Sequence, residues 1–140
     1  MTMSNGVLSG YRVASESGDI DALMGALSPD AELVSPLSGR MVFRGEVDLR
    51  VLLTAVYGSL REWRWREELG HGDRWVLVGE GRVGPLGLGD AMEVELAPDG
   101  RILRLRPHLR PLLGLVAFAL VLGPKLASRP AVLVRALRRS

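Results

Sequence analysis

The spacing of apolar residues changes near residue 60. Before it, Val7, Tyr11 and Ala14 recur at i, i+4 and i+7, and Ile20, Leu23, Met24 and Leu27 at i, i+3, i+4 and i+7. These spacings predict a short first helix ending near Gly18 and a second helix capped by Asp19 and stopped by Ser28-Pro29-Asp30. Ala31 to Ser35 and Met41-Val42-Phe43 read as short strands, the first closed by Pro36. A third helix is predicted from about Glu46 to Leu60. Leu49, Leu52, Leu53, Val56 and Leu60 form its buried stripe, and Glu46 and Asp48 sit at its positive end.

After residue 60 the period is two. In Arg61-Glu62-Trp63-Arg64-Trp65-Arg66 the indoles share one face and the charges the other, the pattern of a half-solvated strand. Gly70 to Asp73 is a turn. Trp75 to Val83, Ala91 to Leu96 and Ile102 to Arg106 continue the alternation, and Asp99-Gly100 is a hairpin signal between the last two. Gly84 to Asp90 reads as a loop, without the strand-to-helix context of a phosphate-binding turn. The order predicts an α+β domain over residues 1–110, with a curved antiparallel sheet packed on three N-terminal helices. Residues 111–140 form a basic amphipathic helical extension.

Charge sharpens that division. Residues 1–100 carry nine basic and sixteen acidic side chains, whereas residues 101–140 carry nine basic and none acidic. The absence of cysteine excludes disulfides, thiolate metal sites and a thiol nucleophile. Two histidines, His71 and His108, are too few for a zinc cage, and neither a metal nor a cofactor is expected. Nucleic acid is disfavoured as a partner, because the bases of the tail alternate with Leu and Val instead of aromatics. Residues 1–12 lack a basic region followed by an apolar run, so a cytoplasmic protein is expected.

Tyr11, Gly18-Asp19, Asp30 to Pro36 and Phe43-Arg44-Gly45, in this order and followed by Asp99-Gly100-Arg101-Ile102 and Arg110-Pro111-Leu112, resemble the NTF2-like superfamily. The likeness is to its SnoaL-like branch of actinobacterial type and covers residues 5–112. It implies a cone-shaped sheet over an apolar pocket, in a superfamily holding ketosteroid isomerases, polyketide cyclases, epoxide hydrolases and non-catalytic binding domains. Fold alone selects no reaction among them.

The isomerase pattern implies a tyrosine donor on the first helix, which Tyr11 matches. Its proton-shuttle aspartate falls on Ser35, and its second aspartate on Met92. A serine without a base cannot shuttle a proton near neutral pH, and a thioether donates no hydrogen bond. The epoxide-hydrolase trio Asp-Arg-Asp is missing from the expected inward positions Trp63, Trp65, Met92, Val94 and Leu96.

The candidate catalytic residues are therefore Tyr11 and Glu80. Glu80 shares a face with Val76 and Val78 and acts as a base if that face lines the pocket; a bulge at Gly79 or Gly81 turns it outward instead. The candidate ligand contacts are Tyr11, Ser35, Trp63, Trp65, Met92, Val94 and, at the cone mouth, His108. The expected ligand is a small apolar molecule bound without the standard isomerase machinery. An enzyme acting on a polyketide- or steroid-like substrate is the alternative.

Leu112 to Leu122 is wholly apolar and ends at Gly123-Pro124. As a helix it spans about 17 Å, short of the roughly 30 Å of bilayer hydrocarbon. Two readings compete. The helix packs on its own domain or on a second copy as a homodimer, or it lies on an anionic membrane surface with Lys125, Arg129, Arg135, Arg138 and Arg139 at the headgroups.

Overall fold

A computed structural model describes residues 6–38 and 40–138. Helix α1 (Gly6–Ser17) turns into α2 (Ile20–Gly25) through Gly18, whose φ of 76° is a left-handed conformation that glycine adopts without strain. The Asp19 carboxylate accepts the Ala22 N–H at 3.1 Å and caps α2. Strands β1 (Leu27–Val34) and β2 (Val42–Arg44) lead into α3 (Glu46–Ser59). Then come β3 (Arg61–His71), β4 (Arg74–Val83), β5 (Leu86–Leu96), β6 (Ile102–Arg106), the short β7 (Leu109–Arg110), α4 (Leu112–Ala127) and α5 (Pro130–Leu137).

The strands make one open, curved sheet in the order β2-β1-β6-β5-β4-β3, with β7 added beside β5. Neighbours are antiparallel except β1 and β6, which run parallel, so the sheet is mixed. Helices and an alternating meander produce the expected α+β cone. Several boundaries differ from the sequence reading. Ser28-Pro29-Asp30 lies inside β1, where a register shift against β6 between Leu27 and Glu32 accommodates the proline. Gly84 to Asp90 is no loop: β5 begins at Leu86, leaving only Gly84-Pro85 as the turn. Helix α4 runs on through Pro124, because Leu122 and Leu126 on either side of it are buried and packing overrides propensity.

Inward-facing residues of β3 and β4 are complementary in size. A Cβ at Gly79 would lie 2.6 Å from the Trp65 ring and 2.8 Å from that of Trp63, and one at Gly81 would lie 2.7 Å from Trp63. The two glycines thus seat the two indoles, whose rings meet edge to face at 5.3 Å.

The C-terminal helices close the domain. Gly114, Phe118, Leu122 and Leu126 recur every fourth residue along the buried face of α4, which packs against α3 and β5. At Gly114 an added Cβ would sit 2.1 Å from the Gly87 carbonyl oxygen, so helix and strand backbones touch there. Two tail bases grip α3. Lys125 Nζ donates to Ser59 Oγ at 2.8 Å, and Arg135 holds the buried Asp48 carboxylate through two hydrogen bonds of 2.9 and 2.6 Å. The membrane-surface reading set these two cations at headgroups; each is instead hydrogen-bonded to α3 while remaining exposed.

Candidate functional site

Helices α1 and α3, the inner sheet face and α4 surround a cavity of about 170 Å³. Phe118, Leu122 and Leu126 of α4 form one wall, and Leu52, Leu53 and Val56 of α3 another. Leu37 and Gly123 line it while remaining exposed, which places them at its rim. A cavity of about 150 Å³ takes up benzene. This one suits a one- or two-ring molecule as it stands.

Polar groups are few and cluster. Tyr11 is fully buried, and its hydroxyl lies 2.7 Å from that of Tyr57 on α3. Burial raises the Tyr11 pKa; the Tyr57 hydrogen bond opposes this and the Asp90 charge adds to it. Tyr57 is also shifted well up, by burial first and then by Tyr11 and Asp90. Both hydroxyls therefore keep their protons. One proton bridges the pair, and Tyr57 has Ser15 as a further hydrogen-bond partner.

Asp90 is the ionisable acid of the site. It lines the cavity from β5, on the inward face that also carries Leu88, Met92, Val94 and Leu96. Its Oδ1 accepts the His108 N–H at 3.1 Å. Burial pushes its carboxyl from 3.8 up to about 7, against the opposing pull of that N–H and of the His108 charge. Near neutral pH it is present both as an acid and as an anion. No Lys, Arg, His or Glu lines the cavity among the described residues.

Trp63 holds an unpartnered buried indole N–H. It lines the cavity, and its Nε1 is the one buried side-chain nitrogen or oxygen without a hydrogen-bond partner among the described residues. An indole N–H left in that condition costs free energy. Trp65 differs: its Nε1 donates to Ser15 Oγ at 2.8 Å.

The structure brings Tyr11, Ser35, Trp63 and Met92 together around the cavity. Ser35 is committed to its loop, accepting the Leu37 N–H at 3.1 Å. Trp65 and Val94 are buried in the core but do not line the cavity. His108 is exposed, with its ring nitrogen 2.6 Å from Glu93, and its neighbours Pro107 and Leu109 line the cavity instead. Glu80 must be corrected. It is exposed and pairs with Arg66 at 2.7 Å on the outer face. The β4–β5 register is regular through this stretch, and the two shifts in the β3–β4 register put their extra residues on β3; Gly79 and Gly81 face inward and plain alternation along β4 turns Glu80 out.

Sequence reasoning missed Asp90 and Tyr57. The alternation Leu96, Val94, Met92, carried one step further, reaches Asp90, but the glycines before it, Gly84, Gly87 and Gly89, made that stretch look like a loop. Tyr57 follows Leu53 by four residues on the same face of α3. No group of three or more His, Cys, Asp or Glu that could hold a metal exists among the described residues.

No protein-family model matches the sequence, and no curated protein matches it either. Solved structures do resemble it. A Silicibacter pomeroyi protein with a cystatin-like fold superposes at a TM-score of 0.87, with 19% identity over 94% of both chains. A steroid delta-isomerase from Pseudomonas aeruginosa superposes at 0.80, with 27% identity over 89% of this chain and 92% of its own. An NTF-2 like protein from Burkholderia xenovorans gives 0.66, with 20% identity over 76% and 86%. Element order, the open curved sheet over its helices and these likenesses together show the NTF2-like fold that the sequence resemblance implied.

Proposed function

We propose that this domain binds a small, neutral, largely apolar molecule and holds one of its oxygens at the Tyr11–Tyr57–Asp90 cluster. The observation that carries this reading is the lining itself: an apolar cavity whose ionisable groups are two protonated tyrosines and one carboxyl with a pKa of about 7. A carboxylate ligand would meet no cation there and would be repelled by ionised Asp90, so the bound oxygen belongs to a ketone, phenol or alcohol. The test is fluorescence titration with 2-naphthol and with naphthalene, using Trp63 as reporter. The hydroxyl should tighten binding about tenfold, the worth of one good hydrogen bond in a dry site. Equal affinity for the two, or no binding of either, overturns the reading.

A second reading is favoured by Asp90 and by the likeness to the steroid delta-isomerase. The isomerase resemblance expects an acid on a late strand beside the tyrosine, and Asp90 supplies it two residues before Met92. The shuttle position remains Ser35, which offers no base. Catalysis would then require Asp90 itself to move the proton from the α-carbon to the γ-carbon of an unsaturated ketone. Ultraviolet detection of a conjugated product from a β,γ-unsaturated ketone, abolished in Asp90→Asn, would establish this reading over simple binding.

A further inference from the structure

Helix α4 is apolar on both of its faces, and only one of them is covered. The inner face packs on the domain. On the opposite face, Leu112, Leu113 and Leu120 are 71%, 70% and 71% exposed, with Val116 between them also exposed. No polar side chain interrupts the helix before Lys125. A surface helix in water carries polar residues on its outer face, and this one has none.

Its surroundings are cationic. Arg110 lies two residues before α4 and Arg129 two residues after it, both exposed, and Asp99 is the last acid in the chain. Arg106, Arg110, Arg129 and Arg138 make no ion pair among the described residues, unlike Arg135, which is bound to Asp48. This charge pattern distinguishes between the occupants that could cover the face. Pairing α4 with α4 of a second copy in antiparallel fashion would set Arg129 beside the other copy's Arg110, and parallel pairing would set each base beside its equivalent. Neither arrangement meets a carboxylate from residues 100–140, and like charges in contact disfavour both. An anionic lipid surface satisfies both features together, taking the leucines into its acyl boundary and the arginines at its phosphates.

We infer that the outer face of α4, flanked by Arg110 and Arg129, docks the protein on an anionic lipid surface, with the helix lying in the plane of the interface. Helix α4 has 16 residues, about 24 Å of helix, and no single helix among the described residues is long and apolar enough to cross a membrane. Helix α5 departs at 110° from it, which ends the lipid-facing segment at Ala127. The inner face of α4 walls the cavity, so docking brings the pocket within about one helix diameter, roughly 10 Å, of the lipid. An apolar ligand dissolved in the bilayer would then have a short path to the site. The docking inference stands on the outer face alone and does not require the pocket to bind anything.

The test is co-sedimentation of the full chain with phosphatidylcholine vesicles and with mixed phosphatidylcholine–phosphatidylserine vesicles, at low and high salt. The parent protein should pellet with the mixed vesicles, bind pure phosphatidylcholine at least tenfold more weakly, and be released by salt. Leu113→Gln/Leu120→Gln, which alters two exposed side chains, should lose binding while keeping the parent melting temperature. Arg110→Gln/Arg129→Gln should weaken binding about twenty-fivefold, from about fivefold per arginine at such a surface. The inference is overturned if the parent stays in the supernatant, if it binds both vesicles equally, or if the leucine variant pellets like the parent. It is also overturned if the parent is a dimer in sedimentation velocity that the leucine variant converts to monomer, which would assign the face to a second copy.

Discussion

Replacing Asp90 with asparagine removes the buried carboxyl while keeping an oxygen for the His108 N–H, which lies 3.1 Å away. In the folded chain burial holds that carboxyl at about 7, against its ordinary 3.8. The folded protein therefore retains a proton that the unfolded chain has already released once the pH exceeds about 4. The contribution of Asp90 to stability falls as pH rises between about 4 and about 7 and is level on either side of that window. Each pH unit of separation is worth 1.36 kcal/mol, so the ionised carboxyl costs about 4 kcal/mol above neutrality. Asp90→Asn should accordingly be more stable than the parent by about 4 kcal/mol near pH 8 and nearly equal to it near pH 4. Urea unfolding followed by tryptophan fluorescence across this range gives the comparison directly. An advantage that does not change with pH, or a variant less stable than the parent near pH 8, would refute the placement of a raised-pKa acid in an apolar cavity.

Other substitutions separate the parts of the site. Tyr11→Phe removes the 2.7 Å contact with Tyr57 and should weaken 2-naphthol binding about five- to tenfold in a fluorescence titration, with naphthalene unaffected. Phe118→Ala opens the α4 wall of the cavity and should cost about 3–5 kcal/mol in urea unfolding. Gly114→Val drives a side chain into the Gly87 carbonyl, 2.1 Å from where the Cβ must sit; α4 should lift, stability should fall by about 1–3 kcal/mol, and a hydrophobic dye should bind more strongly. Glu80→Gln acts on an exposed pair on the outer face, so both stability and naphthol affinity should stay within about 0.5 kcal/mol of the parent.

The architecture was legible because its signals are redundant. The stripe on α3, the Asp19 cap and the Trp63/Trp65 alternation each point to one local structure, and those structures are compatible with only a few packings. The parallel pairing of β1 with β6 was not legible, since nothing local in either strand specifies a neighbour so distant in sequence. The site was harder. Trp75 to Val83 carries apolar residues on both faces, so alternation alone could not say which one turns inward. The deciding feature was relational: glycines at 79 and 81 opposite tryptophans at 63 and 65, which only the strand register brings together. Asp90 was hidden by Gly84, Gly87 and Gly89, whose composition suggests a turn while β5 runs straight through the last two. For the tail, the apolar run was plain, but that one face of it closes the pocket depends on the Gly114–Gly87 approach, a contact between segments.

The most direct test is a crystal structure of the protein with 2-naphthol bound. The account predicts the rings in the cavity beneath α4, with the hydroxyl oxygen in hydrogen-bond contact with the Tyr11–Tyr57 pair or Asp90. Naphthol seated elsewhere at saturation, with this cavity filled only by the protein's own side chains, would contradict it.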